Sequence, residues 1–271
     1  MTYQLIDCHV HLQAEAFKDD LPEVLDRARQ AGVAVLLCNG SEPGDWDQVK
    51  DLAGQQYGVR IVPFFGLHPW YVPDGPPAAW LTSLEGLLRL VPSGVGEIGL
   101  DRWIQDARME LQLPAFRAQL ALARELGRPA CIHCLRAWGL LMEELQRFGP
   151  FPAGLIIHAY GGSVDLLEPL SRLNAFFSFA GNCLQEGRKR AQQALLKTPL
   201  DRLLLESDAP DLPPPEGYRL SAKGQAEAGY RNEPANLRPI LEGVARLRSE
   251  QPDLIARVVW ENAQKLIAGL L

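Results

Sequence analysis

Val33-Ala34-Val35-Leu36-Leu37-Cys38 runs without a polar residue into Asn39-Gly40, and Leu203-Leu204-Leu205 runs into Glu206-Ser207-Asp208. A strand with one wet face alternates polar and apolar residues. An unbroken apolar run of this length reads instead as a strand covered on both faces, the habit of parallel sheets flanked by helices. Working outward, strand-like runs occur near 4–9, 33–38, 61–67, 94–98, 129–133, 154–158, 175–179 and 202–206. Helical patterns separate them, near 20–30, 45–57, 78–90, 108–126, 137–148, 164–172, 187–197 and 235–248, with one more near 253–268. The clearest is 108–126, which sets Met109, Leu113, Phe116, Leu120 and Ala123 on one face. Eight strands, each followed by a helix, predict an α/β fold of the TIM (β/α)8 barrel type, with residues 1–271 as a single domain.

Composition fits that size of core: 47% of the 271 residues are hydrophobic and 22% charged. The net charge of -6 argues against a broad basic surface wrapped around a long nucleic acid. It leaves room for a site that holds a few phosphates through metal ions. No apolar stretch approaches the ~18 residues needed to span a bilayer. The first residues lack a basic region followed by an apolar one, so the expectation is a cytoplasmic protein without a secretory signal. The five cysteines, Cys8, Cys38, Cys131, Cys134 and Cys183, are an odd number lying mostly in apolar runs, which reads as reduced, buried thiols. Cys131-Ile132-His133-Cys134 contains a CxxC, yet alternation along a strand turns Cys134 away from Cys131, against a zinc or redox pair.

All five histidines, His9, His11, His68, His133 and His158, stand where an apolar run ends. In Asp7-Cys8-His9-Val10-His11, alternation puts His9 and His11 on one side of the first strand. Neutral imidazole is a common transition-metal ligand. The intervals test the barrel: Glu97 to His133 spans 36 residues and His133 to His158 spans 25, each about one strand–helix unit. His11 to His68 spans 57 and His158 to Asp208 spans 50, each about two. The skipped strands, the second and seventh, end without ligand-type side chains. Active sites of such barrels lie at the C-terminal ends of the strands, where all these groups fall.

The expectation is therefore two divalent ions, zinc, magnesium or manganese. His9, His11, Glu97 and Asp208 would hold one, and Glu97, His133 and His158 the other. No lysine ends a strand, so Glu97 is assigned as the bridge. Two ions about 3.5–4 Å apart activate a shared water and stabilise both attacking and leaving oxygens, with Asp208 placed to orient that water. Arg188-Lys189-Arg190 reads as a solvated helix face. Trp103 and Trp138, just beyond the fourth and fifth strands, read as packing under a loop, with stacking on a base or sugar as the other reading. The connection 209–234 is long enough to be a lid or binding loop over the same mouth.

At this point the chain resembles the TatD family of metal-dependent deoxyribonucleases, within the amidohydrolase-like barrels. The likeness is carried collinearly by Asp7-Cys8-His9-Val10-His11, Gly66-Leu67-His68-Pro69, Gly96-Glu97-Ile98-Gly99-Leu100-Asp101, His133, His158, Glu206-Ser207-Asp208 and Arg231-Asn232-Glu233-Pro234. The resemblance implies 3′-exonuclease hydrolysis of phosphodiester bonds, with DNA ends or single-stranded DNA as substrate and no obligate protein partner. It implies catalytic roles for Asp208, His68 and Glu97, with His68 on the phosphate or leaving group rather than on metal, and Asp101 as a support. Substrate contacts are assigned to His68, Arg102, Arg136 and Asn232. Trp70 stands where many members have histidine, Arg102 where an aromatic is common, and His133-Cys134-Leu135 where His-Ser-Arg is usual. Those departures touch the rim, which keeps a second function in view: a small-molecule phosphodiesterase, or an amide or lactone hydrolase, on the same barrel.

Overall fold

A computed structural model of the protein describes residues 3–75, 77–220 and 230–270. Eight strands form one parallel sheet in sequence order: β1 (Leu5–Val10), β2 (Val33–Asn39), β3 (Arg60–Phe65), β4 (Gly94–Asp101), β5 (Ala130–Leu135), β6 (Leu155–Ile157), β7 (Ala175–Phe179) and β8 (Leu203–Leu205). Just past the end of β8 the sheet returns to β1. The Asp208 N–H donates to the His9 carbonyl at 3.0 Å, and the His11 N–H to the Ala209 carbonyl at 2.9 Å. The result is the expected (β/α)8 barrel. Strands β1, β4, β6, β7 and β8 are buried along their whole length, which explains the unbroken apolar runs of β6 and β8.

Outside lie α1 (Leu21–Gln30), α2 (Trp46–Ala53), α3 (Ala78–Leu90), α4 (Met109–Glu125), α5 (Trp138–Phe148), α6 (Leu167–Arg172), α7 (Lys189–Lys197), α8 (Leu237–Arg248) and α9 (Pro252–Ile267). In α8 the buried Leu237, Ile240, Leu241, Val244 and Ala245 recur at helical spacing. Each of the larger ones contributes about 1.5–3 kcal/mol by leaving water. Helix α4 differs from its expected face. Its buried side includes Gln112, Ala115, Phe116, Gln119, Leu120 and Ala123, while Met109 and Leu113 are only partly covered. Two glutamines therefore point into the protein.

Two strands fall out of step with a neighbouring strand, and both carry site residues. From Val95 to Ile98, β4 advances three residues while β5 advances two, from Ala130 to Ile132. From Asp7 to Val10, β1 likewise takes one residue more than β2 takes from Leu36 to Cys38. Extra residues of this kind re-aim side chains beside functional sites. Glu97 lies in the first and His9 in the second. Gly96 and Gly99 permit the crowding: a Cβ on Gly96 would stand 2.7 Å from both Asn39 Oδ1 and Cys131 Cβ, and one on Gly99 would collide with the His133 carbonyl.

In the 209–234 connection, residues 221–229 lie outside the described residues. The returning arm is pinned to the end of β8, because the Asn232 N–H donates to the Pro210 carbonyl and its side chain to the Ser207 and Asp211 carbonyls. Among the described residues no helix is long and apolar enough to cross a membrane.

Candidate metal centre

Glu97 sits at the middle of the barrel mouth with imidazoles around both of its oxygens. Oε2 faces His9 Nε2 at 3.3 Å and His11 Nε2 at 3.4 Å. Oε1 faces His158 Nε2 at 3.0 Å, His133 Nδ1 at 3.1 Å and His68 Nε2 at 3.5 Å. Asp208 Oδ1 joins the first group, 3.5 Å from His9 Nε2 and 3.9 Å from His11 Nε2. His9 and His11 turn their Nε2 atoms to one point, 3.0 Å apart, as alternation predicts. His9 also stacks on His158, with ring centroids 4.0 Å apart. Residues from β1 and the turn after it, from beyond β8 and from three positions between them thus converge on one carboxylate.

The outer hydrogen bonds decide what each ring presents to the middle. A carbonyl or carboxylate oxygen only accepts, so the nitrogen facing it carries the proton and the opposite nitrogen of a neutral ring keeps its lone pair. His11 Nδ1 faces the Asn39 carbonyl at 2.9 Å. His133 Nε2 faces Asp101 Oδ2 at 2.9 Å, and His158 Nδ1 faces Glu206 Oε1 at 3.3 Å. His9 Nδ1 meets the Cys131 thiol sulfur at 3.2 Å. As neutral rings, His11, His133 and His158 therefore turn an unprotonated nitrogen toward Glu97, whereas a thiol both donates and accepts, so its contact does not set the His9 tautomer. His68 is wired the other way. Its Nδ1 accepts the Trp70 N–H at 3.2 Å, so a neutral His68 carries its proton on Nε2, aimed at Glu97. Distance groups His68 with Glu97 and His133 as possible ligands, and its Nδ1 contact is what distinguishes it from His133.

Burial sets the charge states. It lowers His68 to about 3 and His9 to about 4, so both are neutral. Burial would also lower His11, but the Glu97 carboxylate raises it to about 9. For Glu97, burial acts upward and is outweighed by the surrounding imidazoles, His158 foremost, which hold the carboxyl well below its ordinary range. Asp208 is pushed upward by burial, with Glu206 and Glu97 adding to the effect.

Several of these supporting groups escaped the sequence reading. Asn39 acts through its backbone carbonyl, which also accepts from Gln13 Nε2 at 2.7 Å. Glu206 stands in the Glu-Ser-Asp triplet, but its contact is with His158 and the Ala159 N–H rather than at the middle. Gln119 brackets Leu67, accepting from its N–H at 2.7 Å and donating to its carbonyl at 3.1 Å. Gln112 does the same for Asp101, at 2.8 and 3.0 Å. The polar glutamines on the buried face of α4 are the only signal that could have revealed this.

The rim residues divide. Arg102 and Arg136 are exposed at adjacent strand ends, where the Arg102 N–H donates to the Leu135 carbonyl. Asn232 is fully buried, with Nδ2 engaged by the Ser207 and Asp211 carbonyls and Oδ1 by the Glu233 N–H and Asn236 Nδ2. That set uses its hydrogen-bonding capacity inside the loop, so its geometry is that of a loop anchor. Trp138 packs on Tyr160, ring centroids 5.1 Å apart, as expected, whereas Trp103 is 55% exposed and is not covered by a loop. All five cysteines are free and buried.

A parallel barrel with imidazoles and carboxylates gathered at its C-terminal mouth defines a metal-dependent hydrolase. The chain matches the TatD related DNase family model over residues 6–268 and belongs to that family. It is 32% identical over 265 residues to the 3'-5' ssDNA/RNA exonuclease TatD of Erwinia billingiae, covering 97% of this chain and 98% of that protein. It is 30% identical over 264 residues to the uncharacterized metal-dependent hydrolase YabD of Bacillus subtilis, covering 97% and 98%. The crystal structure of YjjV, a TatD homologue from Escherichia coli K12, superposes with a TM-score of 0.86 at 28% identity over 98% of both chains.

Proposed function

We propose that this protein is a 3′ exonuclease that hydrolyses phosphodiester bonds at single-stranded DNA ends, using two divalent ions bridged by Glu97. The observation that carries the reading is the division of imidazoles between the two Glu97 oxygens, His9 and His11 on Oε2 and His133 and His158 on Oε1. His9, His11 and Asp208 would hold one ion with Glu97 Oε2, and His133 and His158 the other with Oε1. Imidazole and carboxylate donors suit zinc, manganese or magnesium. Bound ions at such a centre supply Lewis acidity to the phosphodiester and lower the pKa of the attacking water.

The chain's own residues supply the rest. Asp208, whose Oδ1 lies 3.5 Å from His9 Nε2 beside Glu97, is placed in its ionised form to orient the attacking water and take its proton. His68 presents Nε2–H toward the middle, where it donates to a phosphate oxygen or to the departing oxygen. Arg102 and Arg136 line the exposed rim and suit the next phosphates. The nuclease names of relatives such as the Erwinia enzyme favour this substrate over a small phosphodiester, amide or lactone. In an assay of purified protein with 3′- and 5′-labelled single-stranded DNA and magnesium or manganese, stepwise shortening from the 3′ end is expected. Glu97→Ala should abolish it and reduce bound metal in the same preparation. No shortening, or full activity in the variant, would overturn the reading.

A further inference from the structure

Large exposed apolar side chains gather beside the centre. Trp70, Tyr71 and Trp103 are 45%, 46% and 55% exposed, and all three follow the ends of β3 or β4. Trp70 is also held in place. Its Nε1–H donates to Asp101 Oδ2 at 2.8 Å, the same oxygen that receives His133 Nε2. Its ring meets His68 edge-on, centroids 5.1 Å apart. An exposed indole fixed at its polar end is a preformed surface that loses little freedom when something stacks on it.

Trp70 lines a cleft of about 280 Å³ together with Val72, Ile104, Asp106 and Arg108. Arg108 is tied there by Asp74 Oδ1 at 2.7 Å and the Val72 carbonyl at 3.0 Å. This volume falls at or below the lower end for small-molecule sites, and suits one flat ring system. Single-stranded nucleic acids are bound by aromatic faces for bases beside cations for phosphates. Arg102 and Arg136 stand exposed on the same rim.

We propose that Trp70 is the stacking platform for an unpaired nucleobase next to the scissile phosphate, with the base lodged in the cleft it lines with residues 104–108. The assignment rests on the nuclease reading above. It makes the protein a reader of base-bearing single strands, indifferent to sequence because every base offers a flat face. Trp70 also positions Asp101, and through it His133, so a bound base and the metal centre share one indole.

The test compares oligonucleotides ending in two normal nucleotides with ones whose last two nucleotides are abasic, using the wild type, Trp70→Phe and Trp70→Ala. Loss of the indole N–H affects both variants and both substrates, so the ratio of kcat/KM between substrates isolates stacking. Base stacking at about 1–3 kcal/mol gives the wild type a preference of about 5- to 150-fold. Trp70→Phe should keep most of that ratio and Trp70→Ala should lose it, chiefly through KM. A terminal 2-aminopurine should be quenched on binding to the wild type and Trp70→Phe, and stay bright with Trp70→Ala. A ratio near one in the wild type, or one unchanged in Trp70→Ala, overturns the platform and leaves the nuclease intact. Absence of turnover on every oligonucleotide, with no quenching, overturns the nuclease reading and the platform with it.

Discussion

His68 differs from His11, His133 and His158 in where a neutral ring carries its proton, on the nitrogen facing Glu97 rather than on the one turned away from it. Its Nδ1 is occupied by a backbone N–H, whereas His11, His133 and His158 point their second nitrogen at an acceptor. His68→Ala should lower kcat by about 10²- to 10⁴-fold, the range for a lost proton donor, while elemental analysis finds metal content unchanged. Loss of an ion there would make it a ligand. The inward set was readable because strand-end position and residue type are both written in the chain. The partners that tune it were not. The Asn39 carbonyl carries no side-chain signature, and nothing in Glu206-Ser207-Asp208 says which carboxylate turns to His158.

Helix α4 acts at the scale of an element, holding two strand ends by their backbones. Gln119→Leu leaves the Leu67 N–H and carbonyl buried without partners, each worth about 1–3 kcal/mol. The expected outcome is a stability loss of about 2–4 kcal/mol in urea, together with reduced turnover, since His68 is the next residue. An unchanged denaturation midpoint would show that the bracket is dispensable. Period-based reading placed the helix correctly and its buried face only in part, because a glutamine scores as solvent-facing until its backbone partner is known. The extra residues in β1 and β4 were hidden for a similar reason: alternation assumes that neighbouring strands advance in step.

Helices α4 and α5 are joined by Glu144, which receives Arg117 at 2.6 and 2.8 Å and Arg147 at 2.9 Å. Arg117 foremost holds the Glu144 carboxyl below its usual range. Its ionised form therefore stabilises the fold fully above an unfolded value near ~4.3, and the contribution is lost as pH falls through the lowered folded value. Glu144→Gln should melt below the wild type at pH 7, and the two melting curves should converge in acid. A gap that stays constant with pH would remove the charge from the explanation.

At the scale of the whole molecule, the barrel was legible from its rhythm of strands and helices, and its closure was not. The join between β8 and β1 depends on bonds made just beyond the strand ends, reinforced by Ser207 N–H to Asp7 Oδ1 at 2.8 Å. Asn232 fastens the returning loop to that join. Asn232→Ala should cost about 2–3 kcal/mol through unsatisfied buried carbonyls, visible as a lower Tm, with catalysis of the folded fraction retained. A normal Tm with lost catalysis would return Asn232 to the substrate.

That join also orders events in time. His9 lies on the first strand and Asp208 just past the last, and the residues that stitch them together are 200 positions apart in the chain. During synthesis the front half of the centre emerges early and waits, with no carboxylate from the far end to complete it. Contacts of such long range form late. A ribosome-bound fragment lacking β8 is an assembly without its closing piece, so the centre cannot mature before the stretch carrying Asp208 has emerged.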